Sequence, residues 1–280
     1  MMHIFPKDFS DPVLALTLLG EKSARVAKWP NYLELGITAK HIPELLRILD
    51  EIQAFWPDED VANAPESYAP IHACRALGQL KAEQAIPTFM RLIVWNEEED
   101  ADWIMEDIPE AMGMIGPASI PALRDYLLKP DKLEWASATM ARCLAEIGQR
   151  YPEQRDACVE VLQSALEQYA TNSESINAFL ISYLVDLKAV EAAPLVEKVY
   201  QADMVDLSVL GDFEDFQIEL GLLKERSTPP PRFYWAKDPQ LAWENEKATR
   251  RKEERRQRDH EKKEKKKQKQ AKKARKRRKK

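Results

Sequence analysis

The densest group of side chains that could bind a ligand lies in and just after the acidic stretch at residues 96–107. On a helix, carboxylates four residues apart share one face, and a tryptophan beside them favours a protein partner because Trp anchors many interfaces. The candidate partner-binding residues of this stretch are Asp102, Trp103, Glu106, Asp107 and Glu110. The stretch lacks the loop and the bidentate glutamate of a calcium site. A solvated helix face is the alternative interpretation.

His72 and Arg75 form a second candidate group, on a helix predicted over residues 70–80. His72 borders the apolar stripe of this helix. It is therefore either a packed, hydrogen-bonded histidine or, together with Arg75, the edge of a groove that binds a partner. No nucleophile or second histidine is close in the sequence, and the other histidines are isolated. We therefore predict no catalytic residue, no metal site and no cofactor.

A repeating pattern of helix pairs positions these side chains. The helix ending at residues 77–80 returns 35 residues later at 112–115, and the Ile-Pro pair at 86–87 returns 34 residues later. Further copies of the ending occur at residues 143–148 and 183–187. A fixed period of helix pairs is typical of an α-solenoid, in which stacked repeats bury a continuous core. With only 8 glycines and no alternating strand pattern, the sequence predicts an all-α fold.

Local signals predict where the other helices begin and end. Proline stops a helix at the preceding residue, and Ser, Thr and Asn favour the position before the first turn. These signals predict helices over residues 13–27, 41–55 (after Thr38), 174–187 (after Asn172 and Ser173) and 203–223.

Composition narrows the class of protein further. The hydrophobic fraction of 44% supports a core. No apolar segment reaches the roughly 18 residues that span a bilayer, and the N-terminal residues do not match a signal peptide. We therefore expect a soluble, cytoplasmic protein. The spacing of the three cysteines fits neither a metal site nor a disulfide framework, which predicts reduced thiols packed in the core. They are Cys74, Cys143 and Cys158.

Charge is distributed very unevenly along the chain. Residues 247–280 contain 21 Lys and Arg against 5 Asp and Glu, a net charge of +16, whereas the remainder carries 21 against 42, a net charge of −21. Such an asymmetry indicates an interaction tail. We predict a helical body over residues 1–226, a Pro- and aromatic-rich linker over 227–237, and a basic tail, helical or disordered, over 238–280. The candidate polyanion-binding residues are Arg250, Arg251, Lys252, Lys265, Lys266, Lys267, Arg275, Lys276, Arg277 and Arg278.

Several short segments of the body match a known group of repeat proteins. They are 32–37 (YLELGI), 41–45 (HIPEL), 69–73 (APIHA), 75–78 (RALG), 116–117 (GP), 120–123 (IPAL) and 186–194 (DLKAVEAAP). On these segments the body resembles the HEAT-like repeats also found in the phycobilisome-lyase group, and more closely a group of uncharacterised bacterial HEAT-repeat proteins. The resemblance covers residues 30–226 and implies a right-handed α-solenoid of HEAT-like helix pairs. Some members of the group end in a Cys-rich zinc motif, SEC-C, but this sequence has no cysteine after Cys158, so zinc binding is not implied.

Three functions are compatible with these features. We favour a non-catalytic scaffold or adaptor that binds a protein or peptide on the solenoid surface, because solenoids present extended binding surfaces. The second is a nucleic-acid- or ribosome-associated protein anchored by the tail, because clustered Lys and Arg bind phosphates. The third is a bilin lyase-like enzyme, for which the sequence contains no decisive residue set and which the fold alone does not imply.

Overall fold

The computed structural model describes residues 9–24, 28–55, 64–99 and 101–231, together with Lys247. In this part of the chain the secondary structure is entirely helical, without a strand, as the sequence predicts. None of the helices described there combines the length and the apolar character needed to cross a membrane. The aromatic residues after residue 231 and the ten basic residues predicted to bind polyanions lie outside the described residues.

The chain divides into two units, Met1–Phe213 and Glu214–Lys280. This division lies before the predicted boundary between residues 226 and 227. Within the second unit, the Glu214 carboxylate accepts hydrogen bonds from the backbone N–H groups of Ser227 (3.1 Å) and Thr228 (3.0 Å), and Asp215 pairs with Arg226 at 2.5 Å. Burial opposes ionisation of Glu214, but these hydrogen bonds prevail and lower its pKa to about 2. Residues 226–228 are therefore bonded to residues 214–215.

The first unit begins with short helices and continues as four helix pairs. The short helices are α1 (Asp11–Thr17), α2 (Gly20–Ala24), α3 (Ile42–Asp50) and α4 (Ile52–Phe55). The pairs are α5 (Ala69–Gln79) with α6 (Ile86–Glu99), α7 (Asp102–Ile115) with α8 (Ile120–Leu127), α9 (Glu134–Arg150) with α10 (Arg155–Leu166), and α11 (Glu174–Asp186) with α12 (Ala193–Gln201). Two short helices follow, α13 (Leu207–Leu210) and α14 (Phe213–Glu219), and the division between the units lies within α14.

Three of the predicted helices are broken in the structure. The helix predicted over 13–27 is α1 and α2, separated before Gly20, and the one predicted over 203–223 is α13 and α14, separated at Gly211. These glycines have φ angles of 68° and 98°, which lie outside the right-handed helical region. The helix predicted over 41–55 is interrupted at Glu51, between α3 and α4. The predicted cap of α11 is confirmed, because the Ser173 hydroxyl accepts from the backbone N–H of Ile176 at 3.2 Å.

The first helices of the four pairs pack in chain order: α5 against α7, α7 against α9, and α9 against α11. We call these four helices the first-helix row. The second helices α6, α8 and α10 also contact one another in order. The repeated apolar positions of the first-helix row are fully buried, as the repeat predicts, and they are Leu77, Met112, Leu144 and Leu184.

Small residues allow the first helices to approach closely. A Cβ atom added to Gly78 would lie 2.8 Å from Cα of Ala111 on α7. At Gly113, which is 35 residues further along, an added Cβ would lie 2.9 Å from Cβ of Glu146 on α9. The same position of the repeat therefore carries glycine at two successive helix contacts, and a larger side chain would push the helices apart.

We expect Gly78→Ala to lower the free energy of unfolding by about 1–3 kcal/mol, because the added methyl group overlaps the backbone of Ala111. This net loss already includes the better helix propensity of alanine, which offsets about 1 kcal/mol of the packing cost. Gly113→Ala is the comparison, with a smaller expected loss, because its added Cβ meets side-chain atoms of Glu146 and Arg150. Urea unfolding followed by circular dichroism measures both, and equal stability of Gly78→Ala and wild type would contradict the close packing.

Candidate protein-binding surface

A buried ion pair links the first two helices of the row. The Arg75 Nε on α5 donates to Oδ1 of Asp107 on α7 at 3.0 Å, and Nη2 donates to Oδ2 at 3.2 Å. Both residues are buried, and the Trp29 ring centre lies 5.0 Å from the guanidinium carbon of Arg75. Burial raises the pKa of Asp107 to about 6, although the Arg75 guanidinium acts in the opposite direction.

His72 is also buried and hydrogen-bonded at both ring nitrogens. Its Nε2 lies 3.2 Å from the carbonyl oxygen of Gly20, and its Nδ1 lies 2.7 Å from the hydroxyl oxygen of Tyr32. Burial lowers the pKa of His72 to about 4, so the ring is neutral near neutral pH. Because the carbonyl can only accept, Nε2 donates to Gly20 and Nδ1 accepts from Tyr32.

These positions correct one of the two interpretations of His72 and Arg75. The side chain of His72 is fully buried and Arg75 is 6% exposed, so neither lies at the accessible edge of a partner groove in this structure. His72 is the packed, hydrogen-bonded histidine of the alternative interpretation. Both residues instead hold the segment before α3 against α5, through Tyr32 and Trp29.

Gln79, the last residue of α5, fixes the same segment. Its Nε2 donates to the carbonyl oxygen of Pro30 at 2.7 Å, and its Oε1 accepts from the backbone N–H of Tyr32 at 2.9 Å. One side-chain amide therefore satisfies a backbone acceptor and a backbone donor of a non-helical segment that lies against α5.

The acidic stripe predicted on α7 divides into two sets. Asp102 and Glu106 are exposed, and Glu110 is partly exposed and accepts from Nη2 of Arg150 at 3.1 Å. These three carboxylates share the outer side of the helix, as their spacing predicts. Trp103 and Asp107 instead face inward and are 9% and 6% exposed, so they offer almost no surface to a partner.

A partly exposed cluster of aromatic and acidic side chains lies across α9 and α11. The Trp135 side chain is 49% exposed, and its ring packs edge-on against Phe179 with centroids 6.1 Å apart. Phe179 stacks on Tyr183 at 6.4 Å. Glu146 is partly exposed and Asp186 is exposed on the same two helices. We call these five residues the aromatic–acidic face.

Two arginines lie near this face. Arg150 Nε lies 3.9 Å from Glu146, and Arg142 donates from Nη1 to the carbonyl oxygen of Met105 at 3.0 Å. Another carboxylate lies at the start of α9, where Glu97 accepts from the backbone N–H groups of Trp135 (3.3 Å) and Ala136 (2.9 Å). Burial raises the pKa of Tyr183 to about 12, and Arg142 partly opposes this increase. Tyr183 therefore presents a neutral phenol.

Sequence reasoning did not identify the aromatic–acidic face. The signal that could have found it is the repeat, because Trp135 follows Trp103 by 32 residues, as Leu144 follows Met112. The equivalence does not predict exposure: Trp103 is 9% exposed and Trp135 is 49% exposed. Only the packing around each position separates a core aromatic residue from a surface one.

In the described part of the chain, no group of three or more His, Cys, Asp or Glu side chains could hold a metal ion. The three cysteines are free and buried, as predicted for packing thiols. Comparisons with family models, curated proteins and solved structures found no match to this chain. The relation to HEAT-like proteins therefore stays a prediction.

We expect Arg75→Met to lower the free energy of unfolding by about 3–5 kcal/mol, because it leaves the Asp107 carboxylate buried without its counter-ion. Replacing both partners, as Arg75→Met with Asp107→Leu, should cost less than Arg75→Met alone. Arg91→Met is the matched control: it removes the pair of Arg91 with Asp50, whose side chains are 58% and 49% exposed, and should cost less than about 1 kcal/mol. Urea unfolding of wild type and these variants, with the single variant Asp107→Leu to complete the double-mutant cycle, measures the coupling. Strictly additive losses at Arg75 and Asp107 would contradict it.

The pH dependence of stability should report the buried neutral His72. Because its pKa is lowered from 6.5 to about 4 on folding, its contribution is present above pH 6.5 and is lost as the pH falls towards 4. His72→Gln should therefore be less destabilising at pH 4 than at pH 7 by roughly 3 kcal/mol. Burial raises the pKa of Asp107, so the contribution of this group to stability increases as the pH falls through the same range. Both proteins contain Asp107, so its contribution cancels in the difference between their free energies of unfolding. Chemical unfolding across this pH range measures the difference, and a constant difference would contradict the assignment.

Proposed function

We propose that this chain is a non-catalytic scaffold that binds a protein or peptide partner on the surface of its helical body. The observation that carries the proposal is the aromatic–acidic face. Clustered exposed aromatic side chains mark interaction sites, and Trp and Tyr are enriched among the residues that dominate binding energy. Three aromatic rings lie together there, and Trp135 is half exposed.

We further propose that the four helix pairs form a HEAT-like α-solenoid. The packing of the first-helix row in chain order, and the burial of its repeated apolar positions, support this architecture. A solenoid suits a scaffold because neighbouring repeats together present a surface larger than any single helix pair.

A second candidate function is polyanion binding by the basic tail. The net charge of +16 over residues 247–280 favours it, because Lys and Arg that neutralise phosphates release counter-ions and bind without sequence preference. Binding of this kind weakens steeply as salt increases. On this second proposal the tail anchors the protein to RNA, DNA or a ribosome, and the body presents its partner there.

A tail-neutralised variant separates the two functions. It is the full-length chain with glutamine at the ten candidate polyanion-binding positions and at six further basic positions, which brings the net charge of residues 247–280 from +16 to zero. The six further positions are Arg255, Arg256, Arg258, Lys262, Lys263 and Lys269. We expect wild type and this variant to retain the same protein partner, at similar stoichiometry, from nuclease-treated extract at moderate salt. In untreated extract, only wild type should retain nucleic acid, and increasing salt should remove it.

Two results would decide against these proposals. Failure of both proteins to retain any stoichiometric protein partner would contradict the scaffold function. Equal retention of nucleic acid by wild type and the tail-neutralised variant would contradict the role of the tail.

A further inference from the structure

We infer that the aromatic–acidic face binds a cationic segment of the partner, with Lys or Arg side chains against the aromatic rings and paired with Glu146 and Asp186. This inference rests on the proposed scaffold function and specifies the chemistry of the partner. It depends on three observations: the way in which α5 holds a segment of its own chain, the residues that replace Gln79 in later repeats, and the charges around the rings.

The first observation is a contact within the chain. The segment that contains Trp29, Pro30 and Tyr32 lies against α5 and is not helical. The amide of Gln79 bonds its backbone at two points, and Trp29 lies over Arg75. A first helix of this row can therefore hold a non-helical segment through a polar side chain near its C-terminus and through contact between a cation and an aromatic ring.

The second observation is a change of chemistry at the position of Gln79. This residue lies between the repeated apolar residues Leu77 and Leu80. The equivalent position on α7 is Met114, between Met112 and Ile115. On α9 it is Glu146, between Leu144 and Ile147, and on α11 it is Asp186, between Leu184 and Leu187. An amide both donates and accepts, whereas an ionised carboxylate only accepts. A segment held on α9 and α11 must therefore offer donors, and cationic side chains are the strongest of them.

The third observation concerns the aromatic rings and the charges close to them. A Lys or Arg side chain over a Trp or Tyr ring is attracted by the negative face of the ring, and Trp135 exposes half of its surface for such a contact. Cations also lie close to the face. Burial raises the pKa of Asp186, and the nearby charges of Lys188 and Arg142 act in the opposite direction. Arg142 donates to the Met105 carbonyl, and Arg150 donates to Glu110 at 3.1 Å and lies 3.9 Å from Glu146.

Carboxylates extend the same charge beyond the face. Asp102 and Glu106 are exposed on the neighbouring helix α7, and Glu97 lies at the start of α9 beside Trp135. A cationic segment that crosses α9 and α11 would thus meet carboxylates on both sides of the rings, whereas an acidic segment would be repelled. The charge pattern therefore favours a basic partner over an acidic one.

The test uses two labelled peptides and the full-length tail-neutralised variant, so that an acidic probe has no basic tail to bind. One peptide contains Arg, Lys and Leu, and the other has Glu at every Arg and Lys. We expect the cationic peptide to bind in a fluorescence anisotropy titration and the acidic one to bind at least tenfold more weakly. In this background, Trp135→Ser and Asp186→Asn should each weaken binding of the cationic peptide about tenfold.

Matched controls remove equally accessible groups elsewhere. Val190→Ser replaces a side chain that is 48% exposed, Asp156→Asn removes a carboxylate that is 91% exposed, and neither should change the affinity. Circular dichroism melting checks that all four variants fold. Equal binding of the two peptides, or equal losses in Trp135→Ser and Val190→Ser, would overturn the inference.

The protein partner retained by the scaffold experiment gives an independent readout. Its loss from Trp135→Ser and retention by Val190→Ser would support the inference. If Trp135→Ser retained the partner at full stoichiometry, the assigned site would be wrong, but the scaffold function would still be supported. The two proposals therefore fail on different results.

Discussion

The buried ion pair between Arg75 and Asp107 is the contact on which the N-terminal half of the helical body depends. Removing two charges from water costs several kcal/mol each, and the cost is offset only when the charges meet in good geometry. The two-point contact between α5 and α7 satisfies this condition. It fixes these helices relative to each other, and it holds Arg75 under Trp29. With His72 and Gln79, the pair orders the segment before α3 against α5.

The later helices of the row repeat the backbone arrangement but not the polar chemistry. Arg142 is the equivalent of Arg75, yet it donates to a backbone carbonyl and not to a buried carboxylate. The equivalent of Gln79 is Met114 on α7, and on α9 and α11 it is a carboxylate, Glu146 or Asp186. Trp135 is half exposed near the start of α9, whereas His72, Arg75 and Gln79 of α5 contact a segment of the chain itself. The same helical body thus has an N-terminal part whose polar side chains bond to other parts of the chain. Its later helices carry a surface with aromatic rings and negative charge.

The repeat made the helix pairs and their buried positions predictable. Apolar residues at helical spacing form a stripe on one side of a helix, and this stripe is buried only when neighbouring helices share a core. Leu77, Met112, Leu144 and Leu184 are buried for this reason. The ion pair could not be predicted, since it depends on the rotation of α5 relative to α7. The same rotation turns Asp107 inward while Glu106 stays exposed. Breaks at Gly20 and Gly211 were missed because helical spacing continues across them, although the backbone leaves the helical region there.

The central claim is that a partner contacts the aromatic–acidic face, and site-specific photo-crosslinking tests it most directly. Full-length protein carrying a photo-crosslinking amino acid in place of Phe179 would be irradiated with the partner that it retains. The same amino acid in place of Val190 serves as the matched surface position. Our account predicts a crosslinked product from the position of Phe179 and none from that of Val190. A product from Val190 alone, with none from Phe179, would contradict it.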